Sequence, residues 1–192
     1  MLAILASSTL IWAALGDVRS RHIPIIAGYG MLAVGLAVLL INELWLETVF
    51  YIAAIWGSRG GIWRLPILIS GVALFAQGFE SLPFVIGTLY VLAIFELGWF
   101  GGGDAQLALG LMAIGRDWWI VGYLFGGTIL LGLFMVFLTR GLRGGAKRLW
   151  WVLMHMDAPD DQALKVPWGI LATFAGLLYI WVFPGLMMGL RP

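Results

Sequence analysis

Two acidic residues stand where acids are costly. Asp17 closes one apolar stretch, Met1–Gly16, and Asp104 opens another, Ala105–Ile114, 87 residues further on. Carboxylates at membrane depth are expensive and usually functional. Set face to face, two such groups cannot both ionise, so the pair shares a proton. The ionised partner can take a proton from water, and the protonated partner can donate to a scissile carbonyl oxygen. That is general acid–base hydrolysis of a peptide, with no covalent intermediate and no metal. Only the fold can bring residues so far apart together.

The neighbours of each acid refine this expectation. Gly101, Gly102 and Gly103 precede Asp104. Glycines allow positive φ and close backbone approach, which would let an extended substrate strand lie beside the aspartate. A helix beginning near Asp104 would present free N–H groups there, and Asp104 is itself a suitable N-cap. A Gly-rich turn before a helix can also cradle phosphate, but the spacing and lysine of a P-loop are missing. Asp17 taken alone has a simpler reading, a snorkelling ion pair with Arg19 or Arg21. Glu96 lies in an apolar run eight residues before Asp104 and is expected to be a buried structural acid, with a substrate-facing role as its alternative. His22 is placed to tune Asp17.

Composition defines the setting. The chain is 62% hydrophobic and 11% charged, whereas soluble domains carry about 25% charged residues. Too little polar surface remains to face water on all sides, so lipid is the natural solvent. A net charge of +1 gives no field for nucleic acid. The absence of cysteine excludes disulfides, thiolate catalysis and Cys-based zinc sites. His22 and His155 are too far apart in sequence to suggest a metal cluster, and no cofactor is called for.

Eight apolar stretches follow one another: Met1–Gly16, Pro24–Ile41, Leu44–Trp56, Leu65–Gln77, Leu82–Phe100, Ala105–Ile114, Trp118–Leu138 and Pro167–Leu186. Lipid cannot hydrogen-bond a backbone, so spans are helices or closed barrels. The period-two alternation of a barrel is absent. The expectation is an all-α, polytopic transmembrane bundle of six to eight segments, one domain over residues 1–192. The first stretch lacks a basic n-region and is expected to be a retained span.

Alternating the segments with the first loop inside puts nine of the eleven basic residues on the cytoplasmic side, leaving only Arg116 and Arg191 outside. By the positive-inside rule the N-terminus is then outside. Six spans, with Leu44–Gln77 as a hairpin that does not cross fully, give the same sidedness. Residues 139–165 are expected as a cytoplasmic basic loop, with an amphipathic patch around Trp150, Trp151, Leu153 and Met154 on the membrane surface. The pairs Trp118–Trp119 and Trp150–Trp151 are expected as interfacial anchors. Asp17 and Asp104 fall at the same, cytoplasmic, face.

Three strings together resemble one family. Gly101-Gly102-Gly103-Asp104-Ala105-Gln106-Leu107 resembles the GxGD motif of the type IV prepilin peptidases. Gly16-Asp17-Val18-Arg19-Ser20-Arg21-His22-Ile23-Pro24 is similar to that family's first-aspartate motif, and Val166-Pro167-Trp168-Gly169 to the Pro-Phe-Gly turn that opens its last helix. They occur in the family's order and cover most of the chain.

The resemblance implies an aspartyl endopeptidase of the inner (cytoplasmic) membrane. Such enzymes remove short basic leader peptides from prepilins, pseudopilins or preflagellins at the cytoplasmic face, cutting after a glycine. It makes Asp17 and Asp104 the catalytic pair, with Gly101, Gly103, Pro24, Pro167 and Gly169 shaping the loops around them. Arg21, Gln106 and Glu96 are candidates for tuning. Extended members carry a Cys-rich zinc loop and a methyltransferase activity; this chain resembles the short, peptidase-only form that serves Tad/Flp-type pili. The implied partners are prepilin-like peptides and membrane lipid, and self-association into a homo-oligomer is compatible with both. Two positions depart from the pattern: Gln106 stands where the family usually has Lys, and Ile25 where it usually has Asn. The Gln removes a positive charge beside Asp104. The competing expectations are a small proton-coupled transporter and a catalytically silent pilus-assembly factor of the same family.

Overall fold

The chain is described by a computed structural model over residues 1–20, 22–57, 64–97, 100–155 and 168–182. All regular structure among these residues is helical. The order is α1 (Leu2–Ser20), α2 (Ile25–Ile41), α3 (Trp45–Gly57), α4 (Leu65–Gln77), a 3-10 turn (Phe79–Ser81), α5 (Leu82–Glu96), α6 (Gly102–Gly115), α7 (Trp118–His155) and α8 (Trp168–Val182). Each apolar stretch has become one helix, and the breaks carry their own chemistry. Pro24 stands just before α2, and Pro66 and Pro83 lie in the first turns of α4 and α5. There the missing N–H leaves no helical bond unmade.

Among the described residues, two stretches suffice by length and composition for a full crossing, Leu2–Ser20 and Phe79–Glu96. Ile25–Ile41, Trp45–Gly57 and Leu65–Gln77 are apolar but shorter.

The helix α6 sits at the centre. Every residue from Leu107 to Gly115 is buried, as expected of a helix that is apolar on all sides. It packs on α2, α5, α7 and α8. Its approach to α2 is the closest. A Cβ at Gly110 would lie 2.6 Å from the Met31 carbonyl oxygen, and one at Gly35 would lie 2.9 Å from the Ala113 Cβ. Small residues let helix backbones meet in this way where water does not drive association.

α8 lies antiparallel against α1. Polar contacts pin the pair at three heights: Gly169 on Asp17, Thr173 on the Leu10 carbonyl at 2.6 Å, and Trp181 on Ser7 at 2.9 Å. The exterior of the bundle is largely apolar, with Ile4, Ile69, Val72, Phe134 and Phe174 all exposed.

Two expectations are corrected. Residues 139–155 are not loop: α7 runs through them to His155, with a break at Gly141 where φ is 65°. Beyond that glycine Leu142, Arg143, Ala146, Lys147, Arg148, Leu149, Leu153 and Met154 are good helix formers. Residues 156–165, the rest of the expected loop, lie outside the described residues. Glu96 is not buried. It ends α5 at the surface and pairs with Arg64 at the start of α4 at 2.8 Å, both side chains about half exposed.

Candidate active site

Asp17 lies in the last turn of α1 and is 5% exposed. Its partner comes from the opposite end of the chain. The Gly169 N–H donates to Asp17 Oδ2 at 2.9 Å. Gly169 is in the first turn of α8, where backbone N–H groups have no partner within the helix. The acid thus satisfies an orphan donor, and the donor fixes the acid. Residue 169 has little room for a side chain, since a Cβ there would lie 3.0 Å from both Cβ and Oδ2 of Asp17.

Asp104 is the third residue of α6, and Gly101, not Asp104, is the N-cap. The Asp104 side chain reaches back and accepts the Gly101 N–H on Oδ2 at 3.0 Å, the return half of a capping interaction. The glycine triplet does not use positive φ, since Gly101 has φ −70°. It serves close approach instead. A Cβ at Gly103 would lie 2.9 Å from the carbonyl oxygen of Ile23.

Ile23 is the residue around which the site is assembled. It follows α1, is buried, and touches Gly103 of α6 and Gly169 of α8. Pro24 turns the chain back, and its ring lies where a side chain on Gly16 would fall. Through this turn the two acids reach one end of the bundle. Asp17 and His22 both lie within electrostatic reach of Asp104. The influence of His22 therefore falls on Asp104, across the site.

Gln106 has its side chain against α2. It packs on Gly28 of α2, where even a Cβ would collide with its Oε1. That Oε1 is buried and has no hydrogen-bond partner. Glu96, engaged by Arg64, is a surface group. Arg21 and Pro167, the remaining motif positions, lie outside the described residues.

The sequence did not single out Ile23 or Gly28. Ile23 sits inside a quoted motif, but nothing marks an isoleucine as the meeting point of three helix ends. Gly28 is one glycine among 27, and only the α2–α6 crossing distinguishes it.

The chain matches no family model, no characterised relative and no solved structure.

Proposed function

We propose that the chain is a membrane-embedded aspartyl endopeptidase that removes leader peptides from prepilin-like substrates at the cytoplasmic face. One observation carries this reading. Asp17 and Asp104 come from distant parts of the sequence, lie at one end of the bundle within electrostatic reach of one another, and are each held by a glycine N–H. The three motifs and the apolar exterior support it further, as does the bias of basic residues toward that end. On this reading the chain crosses the membrane an even number of times, six to eight, with its N-terminus outside.

The mechanism follows from the pair. Each carboxylate has one oxygen held by an N–H, which leaves the other for water or substrate. One carboxyl is ionised and one protonated when substrate binds, as a shared proton requires. The ionised group takes a proton from the attacking water. The other donates to the carbonyl oxygen of the scissile bond, and the tetrahedral adduct then collapses with proton return to the leaving amine.

The test is co-expression with a prepilin precursor and a gel assay of leader removal. Asp17→Asn and Asp104→Asn are each expected to abolish processing while leaving the protein in the membrane. Processing that survives either change removes the dyad from the mechanism. A wild-type chain that cleaves no precursor points instead to the silent assembly factor. Proton uptake into vesicles that depends on Asp17 would point to the transporter.

A further inference from the structure

The opposite end of the bundle carries a second polar constellation that the proposed chemistry does not use. Arg116 follows α6, about 18 Å along its axis from Asp104 at 1.5 Å per residue. There Glu47, Glu80, Ser81, Phe84, Arg116 and Asp117 border a cavity of about 310 Å³. Small-molecule sites begin at about this size.

The charges around the cavity are unequally engaged. Asp117 is committed: its Oδ2 lies 2.7 Å from the Tyr179 hydroxyl, and its Oδ1 accepts the Ile120 N–H at 2.9 Å. Glu47 is 8% exposed, yet only one of its oxygens is used. Oε1 accepts the Ser81 hydroxyl at 2.8 Å and stands 3.9 Å from the Arg116 guanidinium, too far for a hydrogen bond. Among the described residues nothing donates to Glu47 Oε2, and Glu80 makes no ion pair. Two carboxylates and a guanidinium with donors to spare thus face one cavity. The C-terminal end of α6 adds partial negative charge beside them.

Arg116 is held at φ 51°, a conformation that residues other than glycine rarely adopt. The exposed Trp45, Trp118 and Trp119 flank this end, as side chains do at headgroup level.

We propose that this cavity binds a phosphoethanolamine group. Its ammonium sits between Glu47 and Glu80, and its phosphate on Arg116. The proposal rests on the membrane reading above and is independent of the peptidase chemistry. The same chemistry is offered by the headgroup of phosphatidylethanolamine and by free O-phosphoethanolamine.

The test uses the full chain purified in detergent and reconstituted in nanodiscs. Native mass spectrometry measures retention of phosphatidylethanolamine against phosphatidylglycerol and phosphatidylcholine. Thermal shift measures binding of O-phosphoethanolamine. Expected is selective retention of phosphatidylethanolamine, weakened about tenfold or more by Glu47→Gln, which leaves Arg116 and the ammonium without a buried partner. Glu80→Gln removes an exposed acid with no bond to lose, so it weakens retention without disturbing the fold. Asp17→Asn leaves retention unchanged, which separates this site from the peptidase reading. Lipid retained against excess soluble compound identifies the lipid as the source, and a thermal shift without lipid preference identifies the free compound. Equal retention of all three lipids with no thermal shift overturns the proposal, as does retention unaffected by Glu80→Gln. Release of the chain from membranes by carbonate would separately sink the membrane reading.

Discussion

Gly169 is held to its identity by a distance. A Cβ there would stand 3.0 Å from Asp17 Oδ2, so Gly169→Ala should push the carboxylate off its N–H partner. Losing a hydrogen bond to a charged group costs about 1.5–3 kcal/mol. If all of it enters the barrier, leader removal slows roughly ten- to hundred-fold. Gly102→Ala is the matched control, because nothing lies within 4 Å of a Cβ at that position. Its initial processing rate should equal wild type; a similar loss in both variants would remove the Asp17–Gly169 contact from the explanation. Glu96→Gln tests the other extreme. Its ion pair with Arg64 is exposed on both sides, and such pairs contribute about 0–1 kcal/mol. The variant should process normally and melt within a degree or two of wild type, whereas a severe loss would restore Glu96 to the site. The two acids stood out as charges in an apolar chain and Gly169 as part of a motif-like string, and the fold joins Gly169 to Asp17. Ile23 and the inward turn of Gln106 were not legible, because an apolar contact and a side-chain direction depend on which helices become neighbours.

The crossing of α2 and α6 sets the depth of the site. Met31 lies directly against Gly110, and Gly103 rests on the Ile23 backbone at the Asp104 end of the same pair. Gly110→Ala would put a methyl group 2.6 Å from a carbonyl oxygen that cannot rotate away. Overpacking of this kind costs about 1–3 kcal/mol. The expected result is a lower melting temperature in detergent together with reduced processing, since the helix pair spreads and Asp104 moves with it. Gly122→Ala, with open space around its Cβ, should melt at or above wild type, because Ala is the better helix former. Equal melting of the two variants would mean that the crossing tolerates separation. The eight α-helices among the described residues were legible as apolar stretches, and their breaks as Pro, Gly and charge. The continuation of α7 to His155 was not. A charged, Trp-rich run resembles loop by composition, while its helix propensity is high. Packing order was equally hidden, because an all-apolar helix shows no preferred face and nothing in its sequence says that α6 is central.

At the scale of the molecule the question is how many helices traverse. The contacts at the two ends bear on it directly. Arg64 at the start of α4 meets Glu96 at the end of α5, on the side of Asp17 and Asp104. Glu47 at the start of α3 meets Ser81 and Arg116 on the other side. A hairpin of α3 and α4 that only dipped into the bilayer would not bring Arg64 level with the end of α5. On the proposed membrane reading these contacts favour the eight-pass form over the six-pass one, and α3, α4 and α6 would then thin the bilayer locally around the site. The natural chain has no cysteine, so single thiols report cleanly on sidedness. Phe79→Cys, at an exposed position before α5, should react with a membrane-impermeant maleimide in intact spheroplasts. Ser20→Cys, exposed at the end of α1, should react only after permeabilisation. Leu65→Cys, beside Arg64 and half exposed, decides the count. Eight passes make it behave like Ser20→Cys, because the α3–α4 turn then reaches the cytoplasmic side. Protection of Leu65→Cys under both conditions would instead favour six passes with a buried hairpin. Labelling of Ser20→Cys in intact spheroplasts would invert the molecule and carry the acid pair to the wrong side of the membrane for a cytoplasmic leader.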